Sequence, residues 1–331
     1  MTFPINVYML ALAGGFLFSL LALPVWRGIC TRIGMVDDPG HRKIHTRPIP
    51  LAGGFSVLTG MVIPLLVGAI LAHWNSGGIK SGHALLEYGL SKRAWELEAI
   101  ILGAFGIVVT GALDDYYELR PAIKFAGQFA IAALVASAHV RITLFVNSTV
   151  FSYAITILWI LTVINALNFM DNMNGLCAGL GVICAGFFGV IAGLSGQYLV
   201  AGLAFLAAGA LLGFLPHNFP KATAFLGDTG SHLVGYLLAV MAILPHFYTS
   251  KHPHPWAVLA PLLVLAVPLG DLAWVVCLRS SRGQPFYQGD TNHLSHRLVK
   301  RGWSQPKAVL LIWLASALAG ALALAVMFWP A

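Results

Sequence analysis

The sequence predicts an all-α integral membrane protein with about ten transmembrane helices, and three observations carry that prediction. Hydrophobic residues fill 58% of the 331 positions. Charged residues fill only 9%, against about a quarter in a water-soluble domain, so the chain is too poor in charge to cover a soluble surface. Apolar runs also recur from end to end, near the roughly 20 residues a helix needs to cross a bilayer.

Ten such runs are visible, at about 4–26, 51–73, 97–113, 122–139, 149–167, 175–194, 197–216, 229–247, 256–279 and 307–329. The first lacks a basic leader and is too long for a cleaved signal, so it reads as a retained span. Glycine-bearing breaks such as Gly193–Gly196, and prolines such as Pro216, Pro220 and Pro255, mark helix edges. No linker or internal repeat divides the chain, and residues 1–331 read as a single polytopic domain. The four cysteines, Cys30, Cys177, Cys184 and Cys277, lie in or beside apolar runs and form no CxxC pair. They read as small hydrophobes.

Basic residues set the orientation. With the N-terminus outside, the outer segments hold Lys80, Lys92, Arg93, Arg141 and Lys251, which leaves fourteen of the nineteen Lys and Arg inside. The net charge of +7 is thereby explained by insertion and anionic lipid, and no nucleic-acid-binding motif is present. Ten spans return the C-terminus to the outside. The same parity gathers Asp37, Asp38, Asp114, Asp115, Glu118, Asp171 and Asp228, seven of the twelve acids, at the cytoplasmic face. Acids are not required for insertion, so their gathering points to a site.

Each polar cluster admits two readings. Adjacent carboxylates at Asp114-Asp115 repel each other unless a cation compensates; they are either a Mg²⁺ or acid–base site or a solvated helix end. Lys124 stands close enough in sequence to supply a compensating charge. Asn165, Asn168, Asp171 and Asn174 recur every third residue, which predicts one polar helical face. Their oxygens suit Mg²⁺, and the alternative is a hydrogen-bonded helix seam. Asp228, in Phe225-Leu-Gly-Asp-Thr-Gly-Ser231, is expected to cap the eighth helix and leave the N–H groups of Thr229 to Ser231 free for an anion; capping alone is the alternative. His293, His296 and Arg297 suit a diphosphate better than zinc, since no third zinc ligand is evident. His246, His252 and His254 read as solvated surface, and Asp271, an acid inside the ninth span, as a supporting residue.

In order and spacing, these motifs resemble the polyprenyl-phosphate N-acetylhexosamine-1-phosphate transferases. The match runs from Val36-Asp-Asp-Pro39 through Arg42-Lys43-Ile-His45 and Gly53-Gly54 to the Asp114-Asp115 pair with Lys124 and Gln128. It continues through Asn165/Asn168/Asp171, Asn218 and Asp228 to the histidine loop. The resemblance implies transfer of a sugar 1-phosphate, taken as N-acetylglucosamine 1-phosphate, from a UDP-N-acetylhexosamine to undecaprenyl phosphate. Undecaprenyl-diphosphate-sugar and UMP result, with Mg²⁺ as cofactor and Mn²⁺ as a substitute. It places the chain in a bacterial inner membrane with its catalytic face in the cytoplasm, starting cell-envelope polysaccharide synthesis; a homodimer is compatible with it. By the same resemblance Asp114, Asp115 and Asp171 are catalytic, while Asn168 and Asp228 are metal ligands. Lys43, His45, Lys124, Asn218, Phe225, His293, His296 and Arg297 are on the substrate side, Phe225 stacking on uracil. The rivals are phospho-MurNAc-pentapeptide transfer and, in another class, an ion-coupled transporter.

The chain departs from the pattern of that family at two places. Where the family commonly shows DGxDG, this chain has Asp171-Asn172-Met-Asn174-Gly175. Where the last loop often carries two histidines before its arginine, Ser295 precedes His296 here.

Overall fold

A computed structural model describes residues 3–39, 47–74, 93–245, 247, 255–285 and 291–328. In chain order the helices are α1 (Ile5–Ile33), α2 (Gly53–Trp74), α3 (Ala94–Tyr117), α4 (Pro121–Ser137), α5 (Thr149–Met170), α6 (Leu176–Leu194), α7 (Tyr198–Phe214) and α8 (Gly227–Met241). The ninth apolar run is two helices, α9 (Ala260–Val264) and α10 (Ala266–Ser281). The short α11 (Leu294–Lys300) and the long α12 (Gln305–Phe328) complete the chain. Two-residue strands β1 (Val36–Asp37) and β2 (Ile49–Pro50) pair antiparallel, Val36 opposite Pro50.

Helix thus forms in all ten predicted runs, and seven described helices are long and apolar enough to cross a membrane, or eight if the bent α9–α10 pair is one span. The two others fall short for physical reasons. Helix α4 has 17 residues and α8 has 15. At 1.5 Å per residue, α8 is about 22 Å long, less than the roughly 30 Å hydrocarbon core. It ends at Met241 rather than running on to 247, because its last turn tightens (Ile243 N–H to Val240 O, 2.9 Å) and Pro245 stops continuation.

The 74° bend between α9 and α10 has an equally local cause. Pro268 has no N–H to give the Val264 carbonyl four residues earlier, and its ring crowds that oxygen. The freed Val264 oxygen instead accepts the Cys184 thiol at 3.3 Å. One of the cysteines read as plain hydrophobes therefore satisfies a backbone group.

Helix α8 is the axis of the fold. It is buried from Thr229 to Met241 and packs against α3, α5, α2 and α6. Tyr236 donates its hydroxyl to Ile100 O on α3 (2.9 Å), and Trp159 on α5 donates its indole N–H to Ala239 O (3.2 Å). Apolar side chains such as Leu10, Leu21, Leu102, Val109 and Leu318 face outwards from α1, α3 and α12, as lipid contact requires. Where α3 meets the start of α8 the backbones nearly touch. A Cβ on Gly111 would stand 2.5 Å from Thr229 Cα and 2.6 Å from Asp228 O.

Gly111→Ala is therefore expected to push α3 off α8 and destabilise the protein by about 1–3 kcal/mol, the usual cost of overpacking. Gly68→Ala, where an added Cβ meets nothing within 4 Å, should leave stability unchanged. Thermal unfolding in detergent reads both, and equal midpoints would show that the α3–α8 approach is not tight.

Candidate active site

Asp114 and Asp115 leave the end of α3 in different directions, because successive helical residues are turned by about 100°. Asp115 points at the start of α8. Its Oδ1 accepts the Asp228 N–H (2.8 Å), and its Oδ2 accepts the Thr229 N–H (2.9 Å) and the Thr229 hydroxyl (2.6 Å). The expectation that Asp228 caps this helix and frees the following N–H groups is corrected. Asp228 lies in the first turn, Leu226 stands at the cap without a side-chain bond, and a carboxylate from another helix supplies the cap. The Gly230 N–H is also taken, by Leu226 O. Gly227 makes the approach feasible, since its φ is +71° and a Cβ would lie 2.6 Å from Asp115 Oδ2.

Asp114 points at Lys124. Its Oδ1 accepts the Leu119 N–H (2.9 Å), its Oδ2 pairs with Lys124 Nζ (2.7 Å), and the same ammonium reaches Asp228 Oδ2 (2.6 Å). Lys124 thus takes the compensating place its spacing suggested. The other Asp228 oxygen accepts Asn168 Nδ2 (2.6 Å), which also reaches Ser231 Oγ (3.0 Å). One turn deeper, Asn165 Nδ2 donates to Gln128 Oε1 (2.8 Å), and Gln128 Nε2 faces His232 Nε2 (3.4 Å).

The predicted polar face from Asn165 to Asn174 holds only for its first half. Helix α5 ends at Met170, Asp171 is its C-cap, and Asn174 reaches Pro220 O at 3.4 Å from the following turn. Asn165, facing Gln128, is the seam that was the alternative reading. Sequence reasoning missed His232 and the side-chain hydroxyls of Thr229 and Ser231, having used only the backbone N–H groups of the latter two. The signal for His232 was its place four residues after Asp228, which puts both on one face of α8.

The loops add a second tier. Asn218 is buried, accepting the Gly175 N–H (2.6 Å) and donating to Ala224 O (3.0 Å), so its amide clamps the loops that carry Asp171 and Asp228. Phe225 is half-buried, with its backbone tied to Pro50 O and the Gly53 N–H. His293 is buried against Asp271 and the ring of Phe169. His296 lies 6.4 Å from His293 between ring centroids, and Arg297 lies over the Trp274 ring at 4.6 Å. The two departures from the family pattern meet, since Ser295 Oγ donates to Asn172 Oδ1 at 2.6 Å. Lys43, His45, His246, His252 and His254 fall outside the described residues.

The donor set suits a hard divalent cation. Asp114, Asp228 and His232 bring ligand atoms within 4.8 Å of one another, and His232 Nδ1 is buried with no hydrogen-bond partner. The Asn168 amide nitrogen is committed to Asp228 and Ser231, which leaves its oxygen for a cation. Asp171 shows the deficit of positive charge most clearly. Burial pushes its carboxyl well above the ordinary range, and the charges of Asp228 and then Asp115 push it further. Oxygen donors in excess of one lysine are what Mg²⁺ binds.

Residues 97–246 match the family model described as glycosyl transferase family 4. The chain is 31% identical over 320 residues to a probable undecaprenyl-phosphate N-acetylglucosaminyl 1-phosphate transferase of Bacillus subtilis, covering 92% of this chain and 82% of that one. It is 31% identical over 314 residues to the decaprenyl-phosphate N-acetylglucosaminephosphotransferase of Mycobacterium tuberculosis, covering 87% and 74%. To the undecaprenyl-phosphate alpha-N-acetylglucosaminyl 1-phosphate transferase of Escherichia coli K12 it is 28% identical over 320 residues, covering 92% and 79%.

Two outcomes follow from the geometry. Asp115→Asn leaves one acceptor oxygen for three donors, so the start of α8 should lose about 1–3 kcal/mol and unfold at lower temperature. A midpoint equal to that of the parent protein would remove Asp115 from the cap. Asp171 has a raised folded pKa, so its contribution to stability is present below the ordinary carboxylate range and lost as pH rises through the raised value. In cation-free buffer at neutral pH, Asp171→Asn should therefore raise the unfolding midpoint. That gain should vanish at pH 3–4 (roughly the reference carboxylate pKa) and shrink when Mg²⁺ is added.

Proposed function

Because this chain belongs to glycosyl transferase family 4, we propose that it transfers N-acetylglucosamine 1-phosphate from UDP-N-acetylglucosamine to undecaprenyl phosphate. One observation carries the reading: Asp114, Asp115 and Asp228, from α3 and α8, meet Lys124 and Asn168 at the buried start of α8. The positive-inside count supports placing this end at the cytoplasmic face of the bacterial inner membrane, with both termini outside.

In this reaction an oxygen of the lipid phosphate attacks the sugar-bearing phosphorus of the donor. A new P–O bond forms, the bond from that phosphorus to the bridging oxygen breaks, and UMP leaves with that oxygen. The second pKa of a phosphate monoester is about 6, so the acceptor is largely dianionic at neutral pH and needs no strong base. Positioning and charge neutralisation are the work required of the protein. Asp228 and Asn168, with Asp171 and Asp114 beside them, would hold Mg²⁺. When bound it would neutralise the diphosphate and stabilise the departing UMP.

Lys124 keeps Asp114 and Asp228 on one side of the site, and Asp115 keeps Asp228 at its depth. Asn218 acts by holding the loops of Asp171 and Phe225, with Phe225 toward the uracil. His293, His296 and Arg297 are assigned to the phosphates, and Lys43 and His45, outside the described residues, are assigned to substrate binding from the sequence resemblance alone. The names of the relatives speak to substrates and not to a homodimer.

Purified protein in detergent, with undecaprenyl phosphate, Mg²⁺ and a panel of UDP-sugars, should release UMP with UDP-N-acetylglucosamine. Chelation should abolish release and Mn²⁺ should restore part of it. Asp228→Asn should lower turnover by at least about a hundredfold, the scale of losing one buried electrostatic group. Turnover only with the UDP-MurNAc-pentapeptide would transfer the assignment to that branch. Ion flux in proteoliposomes without UMP release would replace the enzyme by a transporter.

A further inference from the structure

Away from the carboxylate cluster, α10 carries Asp271 into apolar surroundings, and it is 6% exposed. Such an acid persists only where its charge is used. Both of its oxygens are committed. Oδ2 accepts from His293 Nδ1 at 2.7 Å, and Oδ1 accepts the Leu294 N–H at 2.6 Å. An ionised carboxylate only accepts, so Nδ1 carries the proton in this bond and Nε2 is the nitrogen on the far side of the ring.

The ring also stands edge-to-face with Phe169 at 5.4 Å between centroids, and Phe169 in turn carries buried Arg279 over its ring at 5.0 Å. Two residues on, buried Ser295 donates to Asn172. Phe169 follows Asn168 and Asn172 follows Asp171, so the histidine loop is fastened to the end of α5 beside two of the cation-facing residues.

We propose that Asp271 is a positioning residue for the transfer reaction: it holds the His293 proton on Nδ1 and the ring in place. The unprotonated Nε2 can then accept the last proton of the acceptor phosphate while the carboxylate stabilises the charged ring. This rests on the reading under Proposed function. A ring whose second nitrogen is bonded to a carboxylate cannot flip or exchange tautomers without breaking that bond. The Leu294 N–H on the other oxygen prevents the carboxylate itself from turning away.

The test is a double-mutant cycle with a spectroscopic control. In Asp271→Asn the amide oxygen can still accept the Leu294 N–H, but an NH₂ then faces Nδ1 and drives the ring proton to Nε2. The variant should lose at least about tenfold in kcat with donor KM within about twofold, the pattern of a lost supporting group. Made in a His293→Gln background, the same change should cost nothing further, because Asp271 acts through that ring. A merely structural role would subtract equally from both backgrounds.

Nitrogen-15 NMR of histidine-labelled protein, with the His293 signal identified by its loss in His293→Gln, should show an Nδ1 proton in the parent and an Nε2 proton in Asp271→Asn. Full kcat in Asp271→Asn, additive losses in the cycle, or an Nδ1 without a proton in the parent would each overturn the proposal. If the parent releases no UMP from any UDP-sugar, the function reading fails on that result alone, and the nitrogen spectrum still decides whether Asp271 sets the proton.

Discussion

The N–H groups of Asp228 and Thr229, at the start of α8, donate to the carboxylate of Asp115 on α3, and the rest of the molecule is arranged around those two bonds. A helix start carries unpaired N–H groups and the positive end of the backbone dipole, and it is costly to leave inside an apolar bundle. Asp115 satisfies both demands at once. The bonds require α3 and α8 to approach at backbone distance, which Gly111 and Gly227 permit. Once Asp115 is spent on α8, the helical turn directs Asp114 sideways to Lys124, and Lys124 then holds Asp228. Asp115 is for this reason better understood as the peg that sets the depth of Asp228 than as one half of an equivalent pair.

Electrostatics explains why the cluster suits the proposed chemistry. Asp114 and Asp228 share one ammonium, that of Lys124, while Asp115 and Asp171 add negative charge beside Asp228 in surroundings where charges are weakly screened. Such a site repels phosphates by itself and attracts them once a divalent cation is present. Below it, Asn165, Gln128 and His232 form a polar floor between α5, α4 and α8, so the cluster does not rest directly on hydrocarbon.

The two departures from the family pattern also acquire a physical meaning. A glycine at position 172 has no side chain to accept a bond, and a histidine at position 295 would have to fit where buried Ser295 now donates to Asn172. The two residues form one contact, and they fasten the histidine loop to the turn that carries Asp171. Asp271 fastens the same loop from the side of α10.

The sequence by itself determined the helical class, the positions of the ten apolar runs and the identity of most of the polar residues that meet, because burial in lipid writes long apolar periods and tolerates few acids. It also pointed to Lys124 as the partner of the acids, since its spacing returns it to the same end of the bundle. Only the tertiary structure decided what each polar group does. Asp115 rather than Asp228 caps α8, Asn165 forms a seam, and Asn218 clamps loops. His232 joins the site because it lies one helical turn after Asp228 on α8. With α8 buried all round, only the packing showed that this face meets the other acids. The reason is the same in each case. These bonds join residues distant in the chain, 37 positions for Asn165 to Gln128 and more than a hundred for Asp115 to Thr229 or Lys124 to Asp228. They depend on helix packing and register, and neither leaves a local trace in the chain.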